Sequence, residues 1–328
     1  MSKKKPLVPE SVRPPLIEGL ELERAGKVCQ LFRLPDWEGL RFKLSSDCVS
    51  VHDIPLPFPV PGKGRTLNLI DHWWRTQMPW VNHDIVAVGP RIDGFLPKHI
   101  RGNPDFHQRG RIITACYPLL VELVFRWLLT GTGLTQYKEK KGFICGQKMP
   151  DGLREWDELN PSAATPTTKS QTGHDEPMDL NVCVERFGHG PIAMTHPLFE
   201  LGRRIAAELG LSIADTKFEV GLNDKSELVL IDEVLTPDSS RFLRTEDVAI
   251  ARRTGEKPPS FDKQPIRNYV WNVLCVGPKT ELTKETVARV QGHIYPSELI
   301  KQTSECYEQL LKMLTGKSAE EYVLSLTA

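Results

Sequence analysis

The sequence predicts an α+β fold, and two observations carry that prediction. Segments with β-type alternation, GKVCQLFRL and LRFKLSSDCVSVHDI early in the chain and LSIADTKFEVG with ELVLIDEVL in its centre, are bounded by turn residues. Other stretches, over 66–80, 196–209 and around Leu310, Leu311 and Leu314, space their apolar residues as helices do. With 328 residues the chain is long enough for two domains or one large one. Lysine plus arginine equals aspartate plus glutamate at 42 each, so no net field argues for a nucleic-acid partner. The MSKKK start lacks the apolar run of a signal peptide, and no segment approaches the roughly 20 apolar residues of a membrane span. Seven cysteines without a Cys-x-x-Cys pair argue against a disulfide framework or a zinc site and fit a reducing compartment. A cytoplasmic protein with no membrane partner is expected. The 26 prolines imply many loops, not disorder, since 40% of residues are hydrophobic.

Residues 1–24 are proline-rich and charged and read as a flexible or draped arm. The first two strands follow, joined by turn chemistry at Pro35-Asp36-Trp37-Glu38-Gly39. Gly26-Lys27 at their mouth suits either a phosphate contact or a plain strand start. PLPFPVPGKG is a stiff loop, and 66–80 a helix with Leu67, Ile70, Trp74 and Met78 on one face. A short strand is expected over 111–116. From Pro118, PLLVELVFRWLLTGTG reads as a buried helix that opens on proline and stops at glycine. Arg126 sits inside that apolar run and needs a partner, either an internal acid or a ligand anion. Gly131-Thr132-Gly133 would let backbone approach an oxyanion, or simply cap the helix.

Residues 138–180 are polar, and TPTTKSQTGHDEP within them is too long for an ordinary connection, so a functional loop or lid is expected there. Residues 196–209 form an amphipathic helix with Leu198, Leu201, Ile205 and Leu209 inward, closed by Gly210. SFDKQPIRNYV places Asp262, Lys263, Gln264 and Arg267 at a helix start. The C-terminal stretch reads as one or two surface helices, which offer a face for self-association.

Chemistry concentrates in 211–241, a strand, a turn at Asn223-Asp224-Lys225-Ser226 and a second strand. Asp215, Lys217, Glu219, Asp232, Glu233 and Asp238 crowd it, alternating with Phe218, Val220, Ile231 and Val234. That alternation makes one face polar and aims its carboxylates at a common space. A rim of surface ion pairs looks similar. Carboxylates gathered on two adjacent strands also suit a magnesium–nucleotide site, because Mg²⁺ takes one or two carboxylates plus substrate phosphates. Lys217 stands ready for a phosphate or a developing anion.

Taken together these stretches resemble the SAICAR synthetase family. IADTKFEVG followed by LIDEVLTPDSSRF is nearly the family's own wording. TPTTKSQTGHDE, PLLVELVFRWLLTGTGLTQY, SFDKQPIRNYV, GKVCQLF and SSDCVSVHDIPLP resemble further family motifs, in the family's order. The resemblance implies an ATP-dependent carbon–nitrogen ligase that joins a carboxyaminoimidazole ribotide to L-aspartate through an acyl phosphate, with ATP and Mg²⁺ as cofactors. It implies two lobes with a kinase-like ATP cleft: a small antiparallel β-rich N-terminal lobe over 25–116 and a larger α+β lobe over 117–328, whose substrate loop is 160–180. Lys27 would face ATP phosphates, and Glu219 and Asp232 would hold the metal. The stretch with Thr114 and Cys116 would lie beside adenine. Lys217, Lys169 and Asp215 would be catalytic. Arg126, Thr132, His174, Asp175, Ser240, Arg241, Lys263 and Arg267 would bind substrate.

The chain departs from the family's pattern at Cys29, Gln30, Cys48, His52, Trp127 and Thr132. Cys29 and Cys48 stand where arginines are usual, and cysteine gives none of the bidentate contacts of a guanidinium. Trp127 adds bulk where the family has glycine. These departures keep two alternatives in play: a paralogous ligase acting on a different carboxylated nucleotide or heterocycle, and a nucleotide-binding protein without catalysis.

Overall fold

A computed structural model describes residues 8, 9, 12, 16–26, 28–169, 175–277 and 280–326. In chain order it begins with β1 (Glu21–Ala25), β2 (Cys29–Leu34), β3 (Trp37–Ser45), β4 (Cys48–Val51), β5 (Ile54–Pro59), α1 (Lys63–Thr76), β6 (Ile85–Val88), α2 (Pro104–Arg109) and β7 (Gly110–Thr114). It continues through β8 (Tyr117–Pro118), β9 (Val121–Leu128), α3 (Gly131–Glu139), β10 (Phe143–Ile144), β11 (Gln147–Lys148), β12 (Glu158–Ala164), β13 (Thr167–Thr168), α4 (Leu180–Phe187) and α5 (Gly190–Glu208). It ends with β14 (Leu211–Leu222), β15 (Leu228–Ile231), β16 (Ser240–Arg244), α6 (Thr245–Thr254), α7 (Gln264–Leu274), α8 (Lys284–Gln291), α9 (Ser297–Thr315) and α10 (Ala319–Ser325). The α+β expectation is met by antiparallel sheets with helices.

Contacts divide the chain into two compact units. One consists of Trp74–Asp84 and Cys116–Ser260; the other takes the described residues up to Trp73, Ile85–Ala115 and those from Phe261 on. Residues 261–328, grouped by the sequence reading with the larger lobe, thus cluster with the N-terminal strands.

The first unit is built on a seven-stranded sheet with the path β12-β9-β14-β15, to which β13, β16 and β8 add. Its central strand β14 is twelve residues long and pairs antiparallel with β9, placing Asp215 opposite Arg126 and Lys217 opposite Val124. The face of β14 carrying Ala214, Thr216, Phe218 and Val220 is buried. There Phe218, Phe199 of α5 and His196 gather around Phe125 of β9, with centroids 5.3–6.1 Å away. The predicted turn is present: the Asn223 carboxamide oxygen accepts from the backbone N–H of Lys225 (3.0 Å) and Glu227 (2.9 Å).

The second unit carries the sheet β1-β2-β3-β7-β6 and the β4–β5 ribbon. Phe32, Phe42, Leu44, Ile92 and Ile112 form one core, and Val49, Leu56, Ile266, Val270 and Tyr307 belong to another. Arg111 is buried against Asp71 and Asn68.

Three expectations need correction. The stretch 118–133 is not one helix: Val121–Leu128 is strand β9, and α3 starts at Gly131. An apolar run buried on both faces has no period to separate helix from central strand, and the proline and glycine at its ends suit either. The arm over 1–24 ends in structure, because Ile17 is in a core and β1 begins at Glu21. Its charged, bulged edge strand ELERA shows no alternation to betray it. The C-terminal stretch holds three helices, α8, α9 and α10.

Candidate active site

The polar face of β14 presents Asp215, Lys217 and Glu219 in alternation, as a pleated strand must. Each meets a different partner.

At the Asp215 end two guanidiniums converge on one carboxylate. Arg126, buried on β9, donates from Nη1 to Asp215 Oδ2 (2.8 Å), from Nη2 to Thr132 Oγ1 (2.8 Å) and from Nε to Thr165 Oγ1 (3.0 Å). A guanidinium has five N–H groups, so among the described residues two remain for an anion. Arg241 stands 3.5 Å from Asp215 Oδ2 and donates to Thr130 Oγ1 at 3.1 Å. Burial pulls the Arg126 pKa down, Asp215 opposes that, and Arg241 adds to the lowering. The start of α3 supplies the glycines. A Cβ on Gly133 would stand 2.9 Å from Arg126 Cδ, and one on Gly131, whose φ is +56°, would stand 3.1 Å from an Arg241 Nη. The two glycines therefore make room for the arginines, which is neither the approach to an oxyanion nor the helix C-cap that the sequence suggested. With two cations against one anion beside a helix N-terminus, this end favours an anionic ligand.

At the Glu219 end the balance reverses. Lys217 donates to Glu122 Oε1 at 2.7 Å, and Lys169 donates to Glu219. Burial alone would lower the Lys217 ammonium, but Glu122, Glu219 and Asp232 together lift it above its ordinary value. Glu219 is 5% exposed, and its carboxyl is raised to about 7, first by burial and then by the charge of Asp232, against Lys169 and Lys217. Among the described residues the carboxylates of Glu122, Glu219 and Asp232 thus gather here with the ammoniums of Lys217 and Lys169, a setting that suits a further cation. Among the described residues no group of three or more His, Cys, Asp or Glu could hold a metal ion. Glu219 and Asp232 fit a magnesium whose remaining ligands are phosphate oxygens and water. The two ends of the face are about 13 Å apart, four residues of extended strand.

Ser240 is held by Thr216, oxygen to oxygen at 2.6 Å, opposite it in the β14–β16 ladder. Asp175 is exposed, next to the stretch 170–174. Cys116 lies in the same unit; burial first, then Asp84 and Asp224, push its thiol up to about 11, so it is neutral near pH 7. Thr114, Lys263 and Arg267 belong to the other unit, where Arg267 stands 3.5 Å from Asp262. Lys27 and His174 lie outside the described residues. The first unit therefore brings together Arg126, Thr132, Lys169, Asp215, Lys217, Glu219, Asp232 and Arg241, whereas Ser240, expected to bind substrate, turns its hydroxyl to Thr216 on the buried face of the sheet, because neighbours on a strand project to opposite faces.

Sequence reasoning missed Glu122, Thr130 and Thr165. Glu122 was visible as the second charge in the apolar run, four residues before Arg126. That spacing shares a face in a helix and in a strand alike, so it did not expose the misread element. Thr130 and Thr165 lie inside the stretches LLTGTG and TPTTKSQTGHDEP, but no charge or spacing singles them out there. Trp127, the bulky departure, points away from the site: the Arg203 guanidinium of α5 lies 4.2 Å over its ring. Neighbours on a strand project to opposite faces, so Trp127 adds its bulk on the side away from Arg126. Cys48 is buried in the second unit.

The family model described as SAICAR synthetase matches residues 22–281. The phosphoribosylaminoimidazole-succinocarboxamide synthase of Thermobifida fusca is 35% identical over 317 residues, covering 94% of this chain and 95% of that protein. Its counterpart from Thioalkalivibrio sulfidiphilus is 34% identical over 311 residues, covering 92% and 97%. Among solved structures, a SAICAR synthase from Saccharomyces cerevisiae complexed with SAICAR superposes with a TM-score of 0.77 at 28% identity, covering 94% of this chain and 99% of that one.

Proposed function

The chain belongs to the SAICAR synthetase family, and from that premise we propose that it is the ATP-dependent ligase that joins carboxyaminoimidazole ribotide to L-aspartate in purine biosynthesis. The observation that carries the reading is the polar face of β14, with an anion-favouring end at Arg126 and Arg241 and a cation-favouring end at Glu219 and Asp232.

In this reading Arg126, Arg241 and Thr132 hold the ribotide. Glu219 and Asp232 hold Mg²⁺, which would neutralise the phosphates of ATP and orient them. A carboxylate is a poor electrophile, so the ribotide carboxylate first attacks the γ-phosphorus; the bond to the β,γ-bridging oxygen breaks and ADP leaves. Such a transfer needs positioning and charge neutralisation more than covalent help. Lys217, kept protonated by Glu122, offsets charge on the carboxylate and the moving phosphoryl group. The aspartate amine then attacks the acyl carbon, the amide bond forms, phosphate departs and the amine gives up a proton. Lys169, ion-paired with Glu219, carries an ammonium that would offset charge on the phosphoryl group.

A paralogous substrate was the competing reading. Of the three positions that carry it, Cys29, Cys48 and Trp127, the last lies on the far face of β9 from Arg126, which removes that part of the argument. An assay of ADP release with ribotide, aspartate and ATP tests the assignment: release should require both other substrates. ATP binding without turnover on the ribotide would refute it. Asp232→Asn should abolish metal-dependent turnover and leave the fold intact; wild-type activity in that variant would refute the metal assignment.

A further inference from the structure

Asp232 occupies an unusual backbone position. Its φ is +61°, in the left-handed region, which costs a non-glycine residue about 1–2 kcal/mol and persists only where surroundings enforce it. It lies one residue beyond the last pair of the β14–β15 ladder, Glu219 opposite Ile231. A buried fork meets this corner. Arg75, in the last turn of α1 and 3% exposed, donates from Nη2 to the Asp232 carbonyl at 2.8 Å and from Nη1 to the Leu230 carbonyl at 3.1 Å. Asp84, 4% exposed, balances it with an ion pair at 3.2 Å. The 82–84 segment is tied to the same strand. The Leu230 N–H donates to the Asn82 carbonyl (2.9 Å), the Asp84 N–H to the Leu230 carbonyl (3.2 Å), and the Asn82 carboxamide to the Leu228 carbonyl (3.1 Å).

We infer that Arg75 is a positioning residue for the metal site: its guanidinium, charge-balanced by Asp84, fixes the 230–232 backbone so that the Asp232 carboxylate works beside Glu219. The inference rests on the reading of Glu219 and Asp232 as metal ligands. A planar guanidinium suits the task, because its fork fixes two carbonyls in one geometry and an ammonium does not. If support of a ligand is its role, removing it weakens metal binding, as loss of outer contacts does by about 10–100-fold, and spares the binding of the other substrates.

The test is Arg75→Met combined with Asp84→Asn, which removes both buried charges together and leaves neither unpaired. The half-saturating Mg²⁺ concentration should rise about tenfold, with KM for ribotide and aspartate within about twofold of wild type. Mn²⁺ binding in the presence of ATP, followed by electron paramagnetic resonance, should weaken by the same factor. Excess metal should restore turnover. A folded double variant with unchanged metal dependence overturns the inference. If the double variant does not fold, Arg75→Lys decides, since it keeps the charge against Asp84 but lacks the fork; metal dependence equal to wild type in it overturns the inference. Asp232→Asn run alongside separates the two ideas. If that variant leaves metal binding unaltered, the metal assignment itself fails; if it weakens binding and the Arg75 variants do not, only the positioning role fails.

Discussion

Gly133→Ala separates the anion-binding end from the stability of the fold. Gly133 is buried in the first turn of α3, with an ordinary φ, so alanine meets no backbone penalty and gains about 1 kcal/mol in helix propensity. The new methyl would stand 2.9 Å from Arg126 Cδ and 3.2 Å from its Nε, inside normal contact distance. Arg126 cannot swing aside cheaply, because three hydrogen bonds hold it and the methyl presses on the middle of the side chain. It must give up at least one charge-assisted bond, worth about 1.5–3 kcal/mol. Stability should therefore change by no more than about 2 kcal/mol, a modest shift in Tm. If Arg126 holds the ribotide as proposed, a displacement of that size should lower kcat/KM for the ribotide by roughly 10- to 150-fold, at 1.36 kcal/mol per decade. Thermal unfolding and steady-state kinetics with ribotide as the varied substrate measure both. An alanine variant with wild-type kcat/KM would refute the placement of Arg126 against the substrate. Gly131→Ala is the contrasting control, for its φ of +56° makes alanine cost about 1–2 kcal/mol in stability as well.

Further outcomes follow from the other residues. Glu219 has its carboxyl raised from 4.5 to about 7, so the folded state holds a proton that the unfolded chain has released between those values. Its contribution to stability is fully present below pH 4.5 and is lost as pH rises through about 7, by at most about 3 kcal/mol. Denaturant titrations without metal should show that decline, and Glu219→Gln should flatten it. Metal affinity should run the other way and increase through pH 7, since the ligand must be ionised. Trp127→Ala should cost about 1–2 kcal/mol by loss of packing and of the cation–π contact to Arg203, and leave all kinetic constants unchanged. A changed ribotide KM in that variant would contradict its assignment to the far face.

How much of this was legible depended on the element. The first strand of the 211–241 hairpin and its turn could be read, because alternation between Phe218, Val220 and the charged positions admits only a strand with one polar face, but the second strand stops at Ile231, so Asp232, Glu233 and Asp238 stand beyond it and not in the expected alternation. The helices over 66–80 and 196–209 were legible for the matching reason, a period that only a helix makes useful, although the second buries Leu198, Phe199, Gly202 and Ala206 and leaves Leu209, expected inward, exposed. Strand β9 was not, since a strand dry on both sides carries no period, and its two charges, Glu122 and Arg126, share a face in either geometry. The site residues on β14 were visible as chemistry. What they touch was not, for Arg126–Thr165 and Lys217–Glu122 join positions far apart in the chain, and hydroxyls such as Thr130 are common in loops. Nothing in the sequence singles out Arg75, and only the fold shows it buried.

Asp215 and Glu219 sit on one uninterrupted strand, and that fixes something evolution cannot easily adjust. Neighbours can be exchanged to retune either end, but the spacing between Asp215, which anchors Arg126 and Arg241, and Glu219 is a fixed count of peptide units. Inserting a single residue between them would turn Glu219 over into the aromatic layer and bring Phe218 out in its stead. Relatives that accept longer or shorter substrates would have to find that length in the loops, because the measure itself does not stretch.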